Sequence, residues 1–248
     1  MTIKLCPMCE HPLQLDPRYD VLSDEGREAV NAIAKCSCGW QGEFRFGLTE
    51  PRVPNPAPAL PYVSIDIETT GLDPETCQIL EIGAAFDNWT QPLSKLPTFH
   101  CYVTHRQIVG SPYALAMNAE ILRKLANPQP TGTYLDETQV AKFLAAWLNV
   151  QCGWDGSKAL TPAGKNFASF DRQFLKRLPD FEKKVRLHHR TLDPAMLFWQ
   201  LGDEKLPDSQ TCYTRAGIAG KVAHTALEDA LAVVQLIRIG IKRMRPCQ

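Results

Sequence analysis

Five prolines fall within the eleven residues 51–61, PRVPNPAPALP, and no other stretch restricts the fold as strongly. Proline lacks an amide hydrogen and fixes φ, so this segment can neither pair inside a sheet nor continue a helix. It is expected to run as a semi-rigid extended spacer of roughly 34 Å at most. The chain of 248 residues is thereby divided into a module at 1–50, a linker at 51–61 and a domain at 62–248. A chain of this length with 44% hydrophobic residues can bury one ordinary core plus a small appendage.

Formal charge is zero, with 27 basic and 27 acidic side chains. The module at 1–50 holds 5 Lys/Arg against 8 Asp/Glu, leaving a net +3 on the remainder. So mild a surplus argues against the wide basic footprint of a nonspecific duplex binder. It leaves nucleic acid open as a substrate, because bound metal ions can supply positive charge locally. The first ten residues, MTIKLCPMCE, lack the apolar core of a secretory signal, and no apolar run approaches the length that spans a bilayer. A cytoplasmic protein with no membrane partner is the expectation. The nine cysteines are then expected to be reduced rather than disulfide-bonded.

Four of those cysteines form a pattern. Cys6-Pro-Met-Cys9 and Cys36-Ser-Cys38 are separated by 26 residues, and two such turns can close a tetrahedral site around one structural Zn²⁺. In so small a module the metal would supply much of the folding free energy. His11 is an outside candidate to replace one thiolate. The arrangement resembles a zinc ribbon. Binding a protein, binding a nucleic acid and merely folding all remain open as its role, although net −3 disfavours a grip on phosphates.

Past the linker, β-type and helical periodicities alternate. Tyr62–Thr69 reads as a strand with Val63, Ile65 and Ile67 on one face, followed by β-type runs at Gln78–Phe86 and Phe99–Thr104. Helices are predicted over Pro112–Ala126 and Asp136–Val150, the latter capped by Asp136 with Val140, Phe143, Leu144, Trp147 and Leu148 as its apolar stripe. Short strands near Lys158–Pro162 and Leu187–Leu192 and helices from Phe170, Pro194 and Ala226 complete a mixed α/β sheet covered by helices.

Three acidic motifs stand on these elements. Side chains alternate along a strand, so Asp66 and Glu68 share a face, about 6.7 Å apart along it. Two adjacent carboxylates resist burial unless something positive lies between them. Thr69-Thr70-Gly71-Leu72 then turns the chain, and Gly71 would let backbone approach a substrate closely. Asp171 falls in the first turn of a helix that Ser169 is expected to cap, beside a stripe of Phe170, Phe174 and Leu178. On its own it reads as a favourable acid at a positive helix end. Thr225 and Glu228 have capping-box spacing, which puts Asp229 in the first turn of the last helix and His224 just before it. A histidine there can take a proton from water at neutral pH.

Together Asp66/Glu68, Asp171 and His224/Asp229 resemble the three motifs of the DEDDh 3′→5′ exonucleases, over about residues 61–240. The resemblance implies an RNase H-like fold with a mixed five-stranded sheet flanked by helices. It implies that Asp66, Glu68, Asp171 and Asp229 ligate two Mg²⁺ or Mn²⁺ ions, and that His224 deprotonates the attacking water. Gly71 and Leu72 would pack near the terminal nucleotide, while Asn166 either contacts substrate or fixes its own loop. Phe167 or Phe170 is expected in the core sooner than stacked on a base. The substrate would be the 3′ end of single-stranded DNA or RNA, released as mononucleotides. Pro162–Asn166 through Leu175, and His189–Asp193, look most like oligoribonuclease, which makes short RNA one alternative. The N-terminal module departs from that bare catalytic domain. A non-catalytic nucleic-acid-binding adaptor is the other alternative, disfavoured because all five residues are present.

Overall fold

The computed structural model describes the strand segments 14–24, 27–35 and 41–46, residues 60–219 and residues 225–244. The expected zinc ligands Cys6, Cys9, Cys36 and Cys38, nearly all of the proline-rich spacer, and His224 lie outside the described residues. Strands β1 (Gln14–Asp24), β2 (Arg27–Lys35) and β3 (Gln41–Phe46) form an antiparallel sheet in that order. They belong to one compact unit; a second comprises Leu60–Asn88 and Leu96–Ile241 and carries the site.

The second unit is built on β4 (Tyr62–Thr69), β5 (Ile79–Asp87), β6 (Thr98–Thr104), β7 (Tyr134–Asp136) and β8 (Thr161–Ala163). Their order across the sheet is β7-β6-β5-β4-β8. β4, β5 and β6 pair antiparallel, while β7 and β8 join the two edges parallel, so the sheet is mixed. All nine residues of β5 are buried, as befits a central strand covered on both faces.

Each face has its own cover. Val63, Ile65 and Ile67 of β4, with Ile82, Ala84 and Phe86 of β5, pack under α3 (Glu137–Cys152) through Val140, Leu144, Trp147 and Leu148. Asp136 caps α3 in a complete capping box with Gln139, and Gly153, at φ 68°, ends it in the left-handed conformation that glycine adopts without penalty. Phe143 departs from the expected stripe: it is 45% exposed, and the small Ala141 is buried instead. The opposite face carries Asp66, Glu68, Glu81, Gly83 and Asp87, paired across β4 and β5 as Asp66 with Gly83 and Glu68 with Glu81.

Several helices are shorter than their periodicity predicts. Pro112–Ala126 divides at Asn118 into α1 (Pro112–Met117) and α2 (Ala119–Ala126), because the Asn118 side chain donates to the Thr69 carbonyl at 2.9 Å. After β8 come α4 (Asp171–Leu175), α5 (Phe181–Lys184), α6 (Ala195–Phe198) and α7 (Ser209–Ala216). The strand expected at 187–192 reduces to isolated bridges from Leu187 to Leu160 and from Leu192 to Ala163. The last helix, α8 (Ala226–Met244), closes a smaller core with Phe198, Tyr213, Ala216 and Leu236. No helix among the described residues is long and apolar enough to cross a membrane.

α8 lies along β5 and is fastened near both ends. Arg238 donates to both Asp87 carboxylate oxygens at 2.8 and 2.7 Å, and the Tyr62 hydroxyl donates to the same group at 2.9 Å. At the other end the Ala226 amide donates to Glu81 at 3.1 Å. The twelve residues from Ala226 to Arg238 rise about 18 Å, and the six from Glu81 to Asp87 span about 20 Å, so helix and strand match in length.

Candidate active site

Asp66 and Glu68 leave β4 on the face away from the α3 core, as alternation requires, and both are partly exposed while Ile65 and Ile67 are buried. Asp229 reaches them from the first turn of α8. One carboxylate oxygen from each of the three lies within 4.8 Å of the others. Among the described residues this is the one group of acids, cysteines or histidines able to share a metal ion.

Asp171 arrives by a different route. β8 pairs parallel with β4, and the chain leaves it through Gly164, where a Cβ would lie 2.9 Å from the Ile65 carbonyl oxygen. It then turns at Asn166, a non-glycine residue at φ 59°. The Asn166 amide donates to Asp193 at 3.0 Å, and the Ser169 hydroxyl donates to the Asn166 side-chain oxygen. Ser169 therefore does not cap α4; Phe170 occupies that position, without a side-chain hydrogen bond. Asp171 is 3% exposed and accepts from the amide of Ile67, the residue between Asp66 and Glu68, at 3.2 Å. An acid merely favouring a helix end would face solvent. This one is turned inward onto the strand that carries the other two.

The electrostatics follow from this crowding. Dehydration pushes the Asp66 carboxyl well above its usual range, and the charges of Asp171, Asp229, Glu68 and Glu81 raise it further. Asp171 is pushed up to about 7, chiefly by burial, although amide hydrogen bonds from Ile67 and its own backbone oppose the shift. Asp229 also rises to about 7, first from dehydration and then from Glu68, Glu228 and Glu81. Such a cluster is unfavourable with all its charges present and is relieved by protons or cations. The donors are all carboxylate oxygens, hard ligands that suit Mg²⁺ or Mn²⁺.

The remaining expected residues divide. Gly71 packs within the chain: a Cβ there would lie 2.5 Å from the Cys77 sulfur, while its φ is not left-handed. Leu72 is 84% exposed beside it. Asn166 holds its own loop through the bonds above, and Phe167 is core at 1% exposure. Phe170 packs against Phe174 with ring centroids 5.2 Å apart and planes tilted by 54°, and lies partly buried against the core. Thr225 donates its hydroxyl to the Glu228 carboxylate at 2.7 Å, so those two do meet at the start of α8. Sequence reasoning passed over Glu81, although a lone acid within Ile79–Ala85 was a visible anomaly. It also passed over Lys165, Ser209 and Tyr213, which line a cleft with Asp66 and Asp229.

No protein-family model matches the chain. The DNA polymerase III PolC-type of Clostridium perfringens (strain 13 / Type A) is 28% identical over 186 residues, which is 74% of this chain but 11% of the polymerase. E. coli exonuclease I, solved with a dA16 oligonucleotide, superposes with a TM-score of 0.55 at 15% identity, covering 75% of this chain and 42% of that one. The nuclease domain of 3′hExo, a DEDDh family member solved with rAMP, gives 0.51 at 15% identity, covering 74% and 92%. The matched region is thus a small part of the polymerase and under half of exonuclease I, but nearly all of the 3′hExo domain. The second unit has the fold of these nucleases: an RNase H-like mixed five-stranded sheet flanked by helices.

Proposed function

We propose that this chain is a metal-dependent 3′→5′ exonuclease of the DEDDh type, which hydrolyses single-stranded nucleic acid to mononucleotides. The observation that carries the reading is the convergence of Asp66, Glu68 and Asp229 within 4.8 Å, with Asp171 buried against the same strand. It is supported by the likeness in fold to exonuclease I, which has been captured on a dT13 oligonucleotide, and to 3′hExo, captured with rAMP. The 28% identity to a PolC-type polymerase adds to it.

In this reading Asp66, Glu68, Asp171 and Asp229 would hold two Mg²⁺ or Mn²⁺ ions. Bound divalent ions there supply positive charge against the negative charge that develops on the phosphate and the leaving oxygen. The chain's own residues do the rest. Asp171, fixed by the Ile67 amide, keeps one carboxylate oriented without searching rotamers. His224, two residues before α8, takes the proton of the attacking water, and the 3′ oxygen of the preceding nucleotide departs. The exposed Leu72 lies beside the terminal nucleotide, with Gly71 holding its turn in shape. The N-terminal module holds one structural Zn²⁺ through Cys6, Cys9, Cys36 and Cys38, and its removal leaves the chemistry intact.

A 5′-labelled single strand should give a one-nucleotide ladder, and a 3′-labelled strand should release labelled mononucleotide at once. Both products should require Mg²⁺ or Mn²⁺ and vanish in Asp66→Ala. Internal cuts, or digestion that persists in Asp66→Ala, would refute the reading. Running RNA and DNA strands side by side assigns the sugar, and metal analysis of wild type against Cys6→Ser tests the zinc.

A further inference from the structure

β5 is apolar except at its third and last residues, Glu81 and Asp87. Asp87 has its cation in Arg238, but Glu81 is 1% exposed and is used differently. Its Oε1 accepts from His100 Nε2 at 2.6 Å, reaching across from β6. Its Oε2 accepts from the amide of Ala226, the first residue of α8, at 3.1 Å. That amide belongs to the first turn of a helix, where no carbonyl of the helix itself can serve it.

A second observation points to the same contact. Gly83 lies two residues along β5 on the same face, and a Cβ there would fall 2.2 Å from the Ala226 carbonyl carbon. The start of α8 is therefore pressed onto the bare backbone of β5 and held there by the Glu81 side chain. Asp229 follows three residues later. Strand register places Glu68 opposite Glu81 and Asp66 opposite Gly83, so the seat of α8 and the two β4 acids share one frame.

We infer that Glu81, steadied by His100, is a positioning residue: the reach of its side chain fixes where α8 begins and so how Asp229 meets Asp66 and Glu68. The inference rests on the nuclease reading for its purpose, though not for its geometry. The seat of α8 depends on reach, since the Glu81 charge itself only adds to an already crowded cluster. A neutral side chain of equal length can still accept the Ala226 amide, whereas a shorter acid cannot reach it.

The test is direct Mn²⁺ binding to the full chain by titration calorimetry, beside turnover of a 5′-labelled single strand. Glu81→Asp keeps the charge and loses one methylene; it should weaken Mn²⁺ binding about 10–100-fold, the scale expected when support behind a ligand is lost. Its kcat should fall while KM for the strand stays level. Glu81→Gln, which keeps the reach and the acceptor for the Ala226 amide, should stay close to wild type in both measurements. Should Glu81→Asp fail to fold, His100→Ala replaces it, with a smaller loss of Mn²⁺ affinity expected. Unchanged Mn²⁺ affinity in the shortened variant, or in its replacement, overturns the inference. So does an equal loss in Glu81→Gln, which would make the carboxylate itself a ligand. If wild type binds Mn²⁺ yet leaves strands intact, and the two variants still separate, the nuclease reading falls and the positioning role stands. If wild type digests strands but the variants do not separate, only the positioning role falls. A wild type that binds no Mn²⁺ overturns both.

Discussion

Two sets of acids sit on one face of the same sheet, and their β5 members, Glu81 and Asp87, lie about 20 Å apart along the strand. Asp87, fully buried at one end, is met by two guanidinium nitrogens of Arg238 and by the Tyr62 hydroxyl. At the other end, the charges that act on Asp66 among the described residues belong to carboxylates: Asp171, Asp229, Glu68 and Glu81. Burial costs both groups hydration. The first recovers it with a cation from its own chain, and the second, on the proposed reading, takes cations from solution. An acid's role is therefore read from the charge left out around it, not from its depth.

The contrast predicts opposite outcomes for similar substitutions. Asp66→Asn should cut strand hydrolysis about a thousandfold or more, the scale of losing a group that stabilises transition-state charge. The same change should raise the melting temperature of the ion-free protein, because it removes repulsion. Lower stability without ions would contradict this account of the cluster. Asp87→Ala should do the reverse. It strands Arg238 in the interior and should cost about 3–5 kcal/mol in denaturant unfolding. Mn²⁺ affinity of the remaining folded protein should be unchanged.

Acidity separates the two ends further. Unfolded, the site carboxyls titrate near 4; folded, Asp171 and Asp229 titrate at about 7. The folded, ion-free protein thus binds more protons across that window. Its stability from these groups is full below about pH 4 and is lost as pH rises through about 7. Melting of the ion-free protein should drop by several degrees over this range, less so in Asp229→Asn. Saturating Mn²⁺ should reverse the slope. The smallest effect is expected at Ser64, whose buried hydroxyl has no hydrogen-bond partner among the described residues. Ser64→Ala should stabilise by about 1 kcal/mol or less in the same unfolding assay.

Local rules carried the sequence reading a long way. Period-two alternation put Asp66 and Glu68 on one face, and helix-start chemistry put Asp136 and Asp229 at the right turns. The misreadings arose where distant residues decide. Ser169 has the chemistry of a cap, but Asn166 claims its hydroxyl. The strand expected at 187–192 lacks an uninterrupted neighbour and keeps only two bridges. Phe143 fits the apolar stripe of α3, but Ala141 takes the buried place. Glu81 escaped notice because its partners, His100 and Ala226, lie 19 and 145 residues away. Nothing within a short window announces such contacts.

The bond between Glu81 and Ala226 also sets a schedule. During synthesis, the stretch carrying residues 66, 68 and 171 leaves the ribosome well before α8 does, so a nascent chain holds only three of the four acids. Closing a loop this long is slow compared with forming the local helices and hairpins. A chain cut between Asp171 and α8 therefore keeps Asp66, Glu68 and Asp171 but lacks Asp229 and the amide that Glu81 holds.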